Sequence, residues 1–143
     1  MITAGQLRER FQEAGLRLTP QRDLIFRLLE ETQAEHPTAE VLHVRALREM
    51  PSISLRTVYA VLEELQEIRA VRPLDLGTGS MRFCTNIVNH HHLVCERCGR
   101  VKDVHLDVTP PDIPASQRSG FLVTESSVVF RGLCADCRGP AAA

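Results

Sequence analysis

Cysteines and histidines are concentrated in one short stretch of the chain, residues 84–98. This stretch contains three of the five cysteines and three of the six histidines in the sequence. Thiolate sulfur and imidazole nitrogen are the ligands that zinc and neighbouring transition metals bind most readily in proteins. A chain that collects both kinds of ligand at this density is therefore predicted to bind metal ions here.

Four of the cysteines form two Cys-x-x-Cys pairs, Cys95 with Cys98 and Cys134 with Cys137. Each pair can occupy one edge of a zinc tetrahedron, and four protein ligands leave no open position for a substrate. The spacing therefore predicts a structural zinc site. Inert buried cysteines and a redox dithiol are the alternatives, but a dithiol needs only one pair. The odd number of cysteines also argues against a framework of disulfides.

A second group of donors surrounds the three consecutive histidines. His90 and His92 point to the same side of an extended chain, whereas His91 points to the opposite side. Cys84 precedes His90 by six residues, and Asp103 falls on the next predicted strand. Sulfur, imidazole and carboxylate donors can therefore converge on a second metal ion.

The remaining histidines are assigned less directly. His36 lies in a predicted loop and can reach across from the helical part of the chain to the second metal site. His43 lies on a predicted helix and is interpreted as a surface or core histidine. The sequence assigns no role to His91 or His105.

The residues before this stretch are predicted to form four short helices and a hairpin. Each helix starts near a Ser or Thr whose hydroxyl can cap its first turn: Thr3, Thr19, Thr38 and Ser54. The predicted helices cover residues 3–14, 20–31, 38–50 and 55–68. Strands over 71–74 and 80–84 flank a Gly-Thr-Gly turn. This order predicts a winged helix-turn-helix domain over residues 1–84.

The C-terminal part is predicted to be a second, smaller domain. Residues 85–89 are interpreted as a hinge, and residues 90–143 as a small α/β domain held by the four-cysteine zinc site. Predicted strands cover 92–95, 101–104, 121–124 and 127–132, with a short helix within 109–119. The predicted fold class of the whole chain is α+β.

Composition alone gives no support for nucleic-acid binding, because the formal net charge is −1. A DNA-binding face must come from the placement of arginines, since Lys102 is the single lysine among 17 positive charges. The planar guanidinium group suits phosphate and guanine. No apolar run approaches the ~18 residues of a membrane span, and no signal peptide is evident. These features predict a cytoplasmic protein without a membrane partner.

Two other classes of function compete with DNA binding. A zinc hydrolase or deaminase needs an open zinc and a general base. The His-x-Glu sequence of zinc deaminases is absent, and no glutamate neighbours residues 90–92, so the protein is predicted not to be an enzyme. A scaffold or protein-interaction module stays open, and DNA binding that is independent of regulatory metal would favour it.

Five motifs follow one another along nearly the whole chain. They are Gly15-Leu16-Arg17-Leu18-Thr19-Pro20-Gln21-Arg22, His36-Pro37-Thr38-Ala39, Ser54-Leu55-Arg56-Thr57-Val58-Tyr59, His90-His91-His92-Leu93-Val94-Cys95-x-x-Cys98-Gly99 and the final Cys134-x-x-Cys137. In these motifs and their order the chain resembles the ferric uptake regulator family. The resemblance implies a homodimeric, metal-dependent regulator that binds double-stranded DNA through a winged helix and dimerises through its C-terminal domain.

The resemblance also implies which residues read DNA. The recognition helix of the family carries a Ser-x-x-Thr-Val-Tyr motif, which makes Ser54, Arg56, Thr57 and Tyr59 the candidate DNA-binding residues here. Tyr59 is expected to contact bases. Arg17, before the Thr-Pro turn, is expected to enter the minor groove.

For the regulatory metal, the resemblance implies a site made of His36, His90, His92 and Asp103. Iron and peroxide sensors of the family place a carboxylate where this chain has Cys84, whereas zinc uptake regulators use a cysteine. Thiolate softness favours zinc, so a zinc-responsive repressor of zinc-uptake genes is the first expectation. An iron-, manganese- or peroxide-responsive regulator with Cys84 as a redox-sensitive ligand is the alternative.

Zinc regulators of the family often draw a further ligand from the wing, where Asp75 is a candidate. His36, Asp75 and Asp103 therefore stay open as the residues that complete the regulatory site.

Overall fold

The computed structural model describes residues 1–107 and 111–140. The chain divides into two compact units, Met1–Ile87 and Val88–Ala143. The first unit is mainly helical with a two-stranded hairpin, and the second contains a three-stranded sheet. This mixture confirms the α+β fold class.

The first unit contains four α-helices: α1 (Ala4–Glu13), α2 (Pro20–Thr32), α3 (Ala39–Ala46) and α4 (Leu55–Glu67). A single 3-10 turn, Gln33–Glu35, follows α2. All four predicted caps are confirmed, because each capping hydroxyl accepts a hydrogen bond from the backbone N–H three residues later. The cap of α1 is a complete capping box, in which the Gln6 side chain accepts from the Thr3 backbone N–H at 2.9 Å.

The core of this unit is formed by the inward faces of the helices, by apolar residues of the segments beside them, and by Phe83 of the hairpin. Phe11 and Phe26 meet edge to face with ring centroids 5.2 Å apart. On α4, Val58, Leu62 and Leu65 are fully buried. The apolar stripe of α4 therefore faces the core and leaves the opposite side of this helix at the surface.

Helix α3 ends earlier than predicted. The sequence predicted a helix to residue 50, but α3 ends at Ala46 and is followed by a turn in which Met50 N–H donates to the Ala46 carbonyl at 2.8 Å. After Ala46 the backbone bonds tighten to the 3-10 pattern, in which Arg48 N–H donates to the Arg45 carbonyl at 3.2 Å and Glu49 N–H to the Ala46 carbonyl at 3.1 Å.

The wing is the antiparallel pair β1 (Arg72–Leu74) and β2 (Arg82–Cys84), with Arg72 opposite Cys84. In the connecting turn Asp75 accepts a hydrogen bond from Gly77 N–H at 3.1 Å. Phe83 N–H donates to the Pro37 carbonyl at 2.9 Å, so β2 also lies beside the segment that precedes α3. This pairing places the end of the wing next to His36.

The second unit is built on a sheet with the strand order β4-β3-β5. Strand β3 (His91–Cys95) pairs antiparallel with β4 (Val101–Val104) and parallel with β5 (Val129–Gly132). Two short helices, α5 (Ala115–Arg118) and α6 (Ala135–Arg138), complete the unit. The predicted strand positions are confirmed for β3, β4 and β5 within one or two residues.

The predicted strand over residues 121–124 is wrong. This segment pairs with no strand in the described part of the chain, and Phe121 and Leu122 are 75% and 87% exposed. Bulky apolar residues favour a strand only where a neighbouring strand and a packing face exist. The helix expected within residues 109–119 is the single turn α5, and residues 109 and 110 of that prediction lie outside the described residues. Helix α6 was not predicted.

None of the helices in residues 1–107 and 111–140 is long and apolar enough to span a membrane.

Candidate metal centres and DNA-reading surface

The four cysteines of the two Cys-x-x-Cys pairs lie together in the second unit. The sulfurs of Cys95, Cys98, Cys134 and Cys137 lie within 4.8 Å of one another. The Cys98 and Cys134 sulfurs are 3.8 Å apart. With a Zn–S distance of about 2.3 Å, two sulfurs of a zinc tetrahedron lie roughly 3.8 Å apart. The cluster therefore fits a structural zinc ion.

Strand pairing and local turns hold these sulfurs in place. Cys95 is the last residue of β3, and its N–H donates to the Arg100 carbonyl at 2.9 Å across the turn that carries Cys98. Cys134 precedes α6, and its N–H donates to the Cys95 sulfur at 3.4 Å. The second pair is thus attached to the first through the pairing of β5 with β3.

The surroundings of the cluster shift the pKa values of two of its thiols in opposite directions. Backbone N–H groups of Cys98 and then Cys134 point at the Cys95 sulfur and lower the pKa of that thiol to about 6. Hydrogen bonding to the Cys134 sulfur, followed by burial, raises the pKa of Cys137 to about 12. At neutral pH the cluster therefore stabilises one thiolate and retains a proton on another sulfur, as expected where a cation is needed to balance several thiolates.

A second set of donors in this unit is formed by His90, His92 and Asp103. The Nε2 atoms of His90 and His92 lie 2.9 and 3.5 Å from the same Asp103 oxygen, Oδ1. The two imidazole rings are 4.6 Å apart, and both side chains are almost fully buried. Asp103 lies directly opposite His92 in the β3–β4 register. The sequence placed these three residues together, and strand pairing does so.

His90 is further oriented by its other ring nitrogen. Nδ1 lies 2.6 Å from the Val88 carbonyl, so it must carry the proton and donate. Nε2 is the ring atom that faces Asp103 Oδ1, at 2.9 Å. A metal-binding histidine is usually held in this way, with the second nitrogen fixed by a carbonyl or carboxylate.

The first unit contributes a separate pair of donors, His36 and Cys84. Their ligand atoms lie within 4.8 Å of each other, and both residues are buried. His36 adopts a left-handed backbone conformation with φ +51°, and its carbonyl accepts from the Arg82 guanidinium at 3.0 Å. The wing strand therefore sets the position of both residues, and thiolate with imidazole is a donor pair that suits zinc.

The other candidate residues have different local roles. His91 Nδ1 accepts a hydrogen bond from Val128 N–H at 2.9 Å, which attaches β3 to the start of β5. His43 Nε2 lies 2.9 Å from the Ile53 carbonyl and fixes the segment before α4. Asp75 is exposed and its carboxylate is used in the wing turn. His105 lies near His90, with ring centroids 6.0 Å apart.

Proteins with known roles share this residue order and architecture. The family model described as the ferric uptake regulator family matches residues 13–130. The chain belongs to the ferric uptake regulator family. The peroxide-responsive repressor PerR of Staphylococcus epidermidis is 34% identical over 128 residues, which cover 89% of this chain and 85% of that protein.

Two solved structures extend the comparison. A zinc-bound manganese uptake regulator is 28% identical with a TM-score of 0.70, covering 90% of this chain and 98% of its own. The Vibrio cholerae ferric uptake regulator is also 28% identical with a TM-score of 0.66, covering 88% of this chain and 98% of its own. As a family member, the chain is a metal-responsive, DNA-binding transcription regulator and not an enzyme.

In this ferric uptake regulator family member, the outer side of α4 carries the residues expected to read DNA. The Ser54 hydroxyl accepts from Thr57 N–H at 3.1 Å and lies 2.9 Å from the Thr57 hydroxyl, so both side chains serve the cap. Arg56 and Tyr59 project to the surface. Arg17 is exposed in the loop between α1 and α2. The helix cap thus fixes the end of α4 from which Arg56 and Tyr59 extend.

The sequence missed one residue of this surface, Glu40. The Tyr59 hydroxyl donates to Glu40 Oε1 at 2.7 Å. This hydrogen bond raises the pKa of Tyr59 and lowers the pKa of Glu40. Glu40 lies on α3, nineteen positions before Tyr59, and no local pattern in the sequence joins two residues at that separation.

Proposed function

We propose that this family member is a zinc-responsive repressor of zinc-uptake genes that binds operator DNA as a homodimer. The observation that carries the choice of zinc is the buried Cys84 sulfur beside His36. A thiolate in the donor set favours zinc over the oxygen-preferring metals. The remaining donors of the proposed regulatory site are His90, His92 and Asp103.

A separate structural zinc is proposed for Cys95, Cys98, Cys134 and Cys137. Four sulfurs within 4.8 Å support this assignment, since tetrahedral Cys₄ sites close the coordination sphere and hold small domains together. Zinc binding of this kind contributes about 10–16 kcal/mol of apparent free energy in small domains near neutral pH. The second unit is small enough for this contribution to decide whether it folds.

The proposed switch depends on which units supply the ligands. His36 and Cys84 belong to the first unit, and the other three donors belong to the second. Sharing one ion among both sets limits the arrangements of the two units to those compatible with the shared ligands. Residues 85–89 are proposed as the hinge that allows the other arrangements when no ion is shared. This is a shift of population rather than a new fold.

In the proposed dimer, the preferred arrangement sets the spacing of two α4 helices on successive half-sites of the duplex. A coupling of about 1–3 kcal/mol between metal and DNA binding corresponds to a roughly 5–150-fold change in affinity. Large apolar residues at the surface of the second unit, including Phe121, Leu122 and Phe130, support a dimer contact there, because exposed apolar surface of this kind marks interaction sites.

The DNA contacts are proposed at Tyr59 and Arg56 on α4 and at Arg17 in the loop between α1 and α2. Ser54 and Thr57 are proposed to present the backbone of the helix end to phosphate while they cap it. Phosphate neutralisation by the arginines makes part of the affinity fall with salt.

The test measures the affinity for a DNA duplex selected from a random-sequence library, at buffered free zinc, iron(II) and manganese(II). Wild-type protein should respond at the lowest free concentration to zinc. Cys84→Asp should shift the preference towards iron or manganese because an oxygen ligand replaces sulfur. An unchanged zinc preference in Cys84→Asp would exclude Cys84 from the regulatory site.

A peroxide- or iron-responsive regulator is the second candidate, and the 34% identity to PerR favours it. Two imidazoles and a carboxylate, as in His90, His92 and Asp103, also suit iron(II). In this case iron should activate DNA binding at lower free concentration than zinc. Exposure of the iron-loaded protein to hydrogen peroxide should then release the duplex, with oxidation at a metal-binding residue detected by mass spectrometry.

A further inference from the structure

The guanidinium group of Arg22 contacts three different elements of the first unit. Nε and Nη2 donate to Glu64 Oε2 and Oε1 at 3.1 and 2.5 Å. Nη1 donates to the backbone carbonyl of Arg17. The guanidinium carbon also lies over the Phe11 ring, 5.1 Å from its centroid. One side chain on α2 is thus joined to α4, to α1 and to the loop between α1 and α2.

The base of this side chain is itself fixed. Arg22 is in the first turn of α2, and its backbone N–H donates to the capping hydroxyl of Thr19 at 3.3 Å. The side chains of Arg22 and Glu64 are only 21% and 27% exposed. Paired hydrogen bonds between guanidinium and carboxylate fix orientation as well as distance. The position of the Arg17 carbonyl is therefore tied to that of α4.

We propose that Arg22 is a positioning residue for DNA recognition, which holds the loop of Arg17 at a fixed offset from α4. The inference rests on the proposed DNA contacts of Arg17 and α4. A minor-groove side chain and a major-groove helix can be satisfied together only when their separation matches the duplex. In this role Arg22 fixes the separation between the Arg17 loop and α4 and does not itself contact DNA.

The simpler explanation is an ion pair that stabilises the helical unit. Pairs between partly exposed charges contribute little to stability, and such a role predicts no special relation to Arg17. The hydrogen bond from Nη1 favours a positioning role in addition to stability, because its acceptor is the backbone carbonyl of Arg17 and not a charged group. Lysine cannot make the paired and the third contact at once.

The test is a double-mutant cycle on DNA affinity with Arg22→Lys, Arg17→Ala and the two combined. The probe is the duplex selected from a random-sequence library with full-length wild-type protein at saturating buffered zinc. Arg22→Lys keeps the positive charge, so it leaves the general attraction to phosphate unchanged. Arg27→Lys is the matched control, since Arg27 also lies on α2 and pairs with Glu49 at 2.8 Å without reaching Arg17.

Arg22→Lys should weaken DNA binding by about five- to tenfold when Arg17 is present, and by less than about twofold in the Arg17→Ala background, as expected for coupled residues. Arg27→Lys should stay within about twofold of wild type. Equal losses in both backgrounds would overturn the inference while leaving the DNA contacts in place. No loss in Arg17→Ala alone would instead refute the proposed contact of Arg17, and with it the role of Arg22.

Glu64→Gln keeps the experiment decisive if Arg22→Lys does not fold. This variant removes one charge but preserves an oxygen acceptor for the guanidinium, so the Arg17 contact persists in part. It should give a smaller loss of DNA affinity than Arg22→Lys, again coupled to Arg17. A loss that is independent of Arg17 in this variant contradicts the inference as well.

Discussion

The two donor groups of this regulator differ in how much of the chain is needed to build them. The cysteine cluster is assembled inside the second unit from two short Cys-x-x-Cys turns and the β3–β5 pairing. The proposed regulatory donors are divided, with His36 and Cys84 in one unit and His90, His92 and Asp103 in the other. A metal site built within one unit can stabilise the fold of that unit. A metal site whose ligands come from both units can instead make the arrangement of the units depend on bound metal.

The largest expected effect comes from removing one cysteine of the cluster. Cys95→Ser or Cys137→Ser should lose the structural zinc and unfold the second unit, because zinc supplies about 10–16 kcal/mol of apparent binding free energy in such sites. Zinc content and the thermal melting curve measure the result. Cys84→Ser is the matched control and should keep this zinc. Full zinc content with an unchanged melting curve in either variant would show that the cluster does not bind a structural zinc ion.

The next effect separates two neighbouring histidines on β3. His92→Ala should abolish the metal-dependent gain in DNA affinity, about 5–150-fold, and keep the structural zinc. His91→Ala should keep the metal response and lose about 1 kcal/mol of stability, because it removes the hydrogen bond to Val128. DNA titrations with and without buffered zinc, together with urea unfolding, measure both. A metal response lost equally in the two variants contradicts the assignment.

The cysteine cluster should also bind zinc less tightly as pH falls. Cys137, with its pKa raised to about 12, holds a proton throughout the neutral range, so zinc must displace it. Apparent affinity should then fall by about tenfold per pH unit or more between pH ~8 and ~6.5. Below the Cys95 pKa of about 6, a further proton competes and the slope should steepen. Competition with a chelator of known pH dependence tests this, and a flat profile contradicts it.

The smallest expected effect concerns Tyr59 in the first unit. Tyr59 is the only tyrosine and the chain has no tryptophan, so absorbance of the phenolate at alkaline pH reports this side chain alone. Glu40→Gln should lower the Tyr59 pKa towards its ordinary value of ~10, because the carboxylate acceptor that raises it is removed. Glu35→Gln on the neighbouring turn is the control. An unchanged titration in Glu40→Gln would show that the hydrogen bond does not persist in solution.

The sequence alone determined those features whose partners lie close together along the chain. A capping hydroxyl at Thr19 or Ser54 meets an N–H only three residues away, so the helix starts could be predicted. The Cys-x-x-Cys pairs carry their metal-binding spacing within four residues, and His90 and His92 share a face because side chains alternate on a strand. The motifs in their order were enough to predict the family and the winged-helix layout.

Tertiary structure alone decided the contacts that join distant residues. Arg22 meets Glu64 across 42 positions, and His91 meets Val128 across 37. Residues 121–124 have the composition of a strand but no partner among the described strands, and composition does not specify a partner. Helix caps and metal turns are governed by local geometry, whereas ion pairs and strand pairing depend on where the fold brings separate segments.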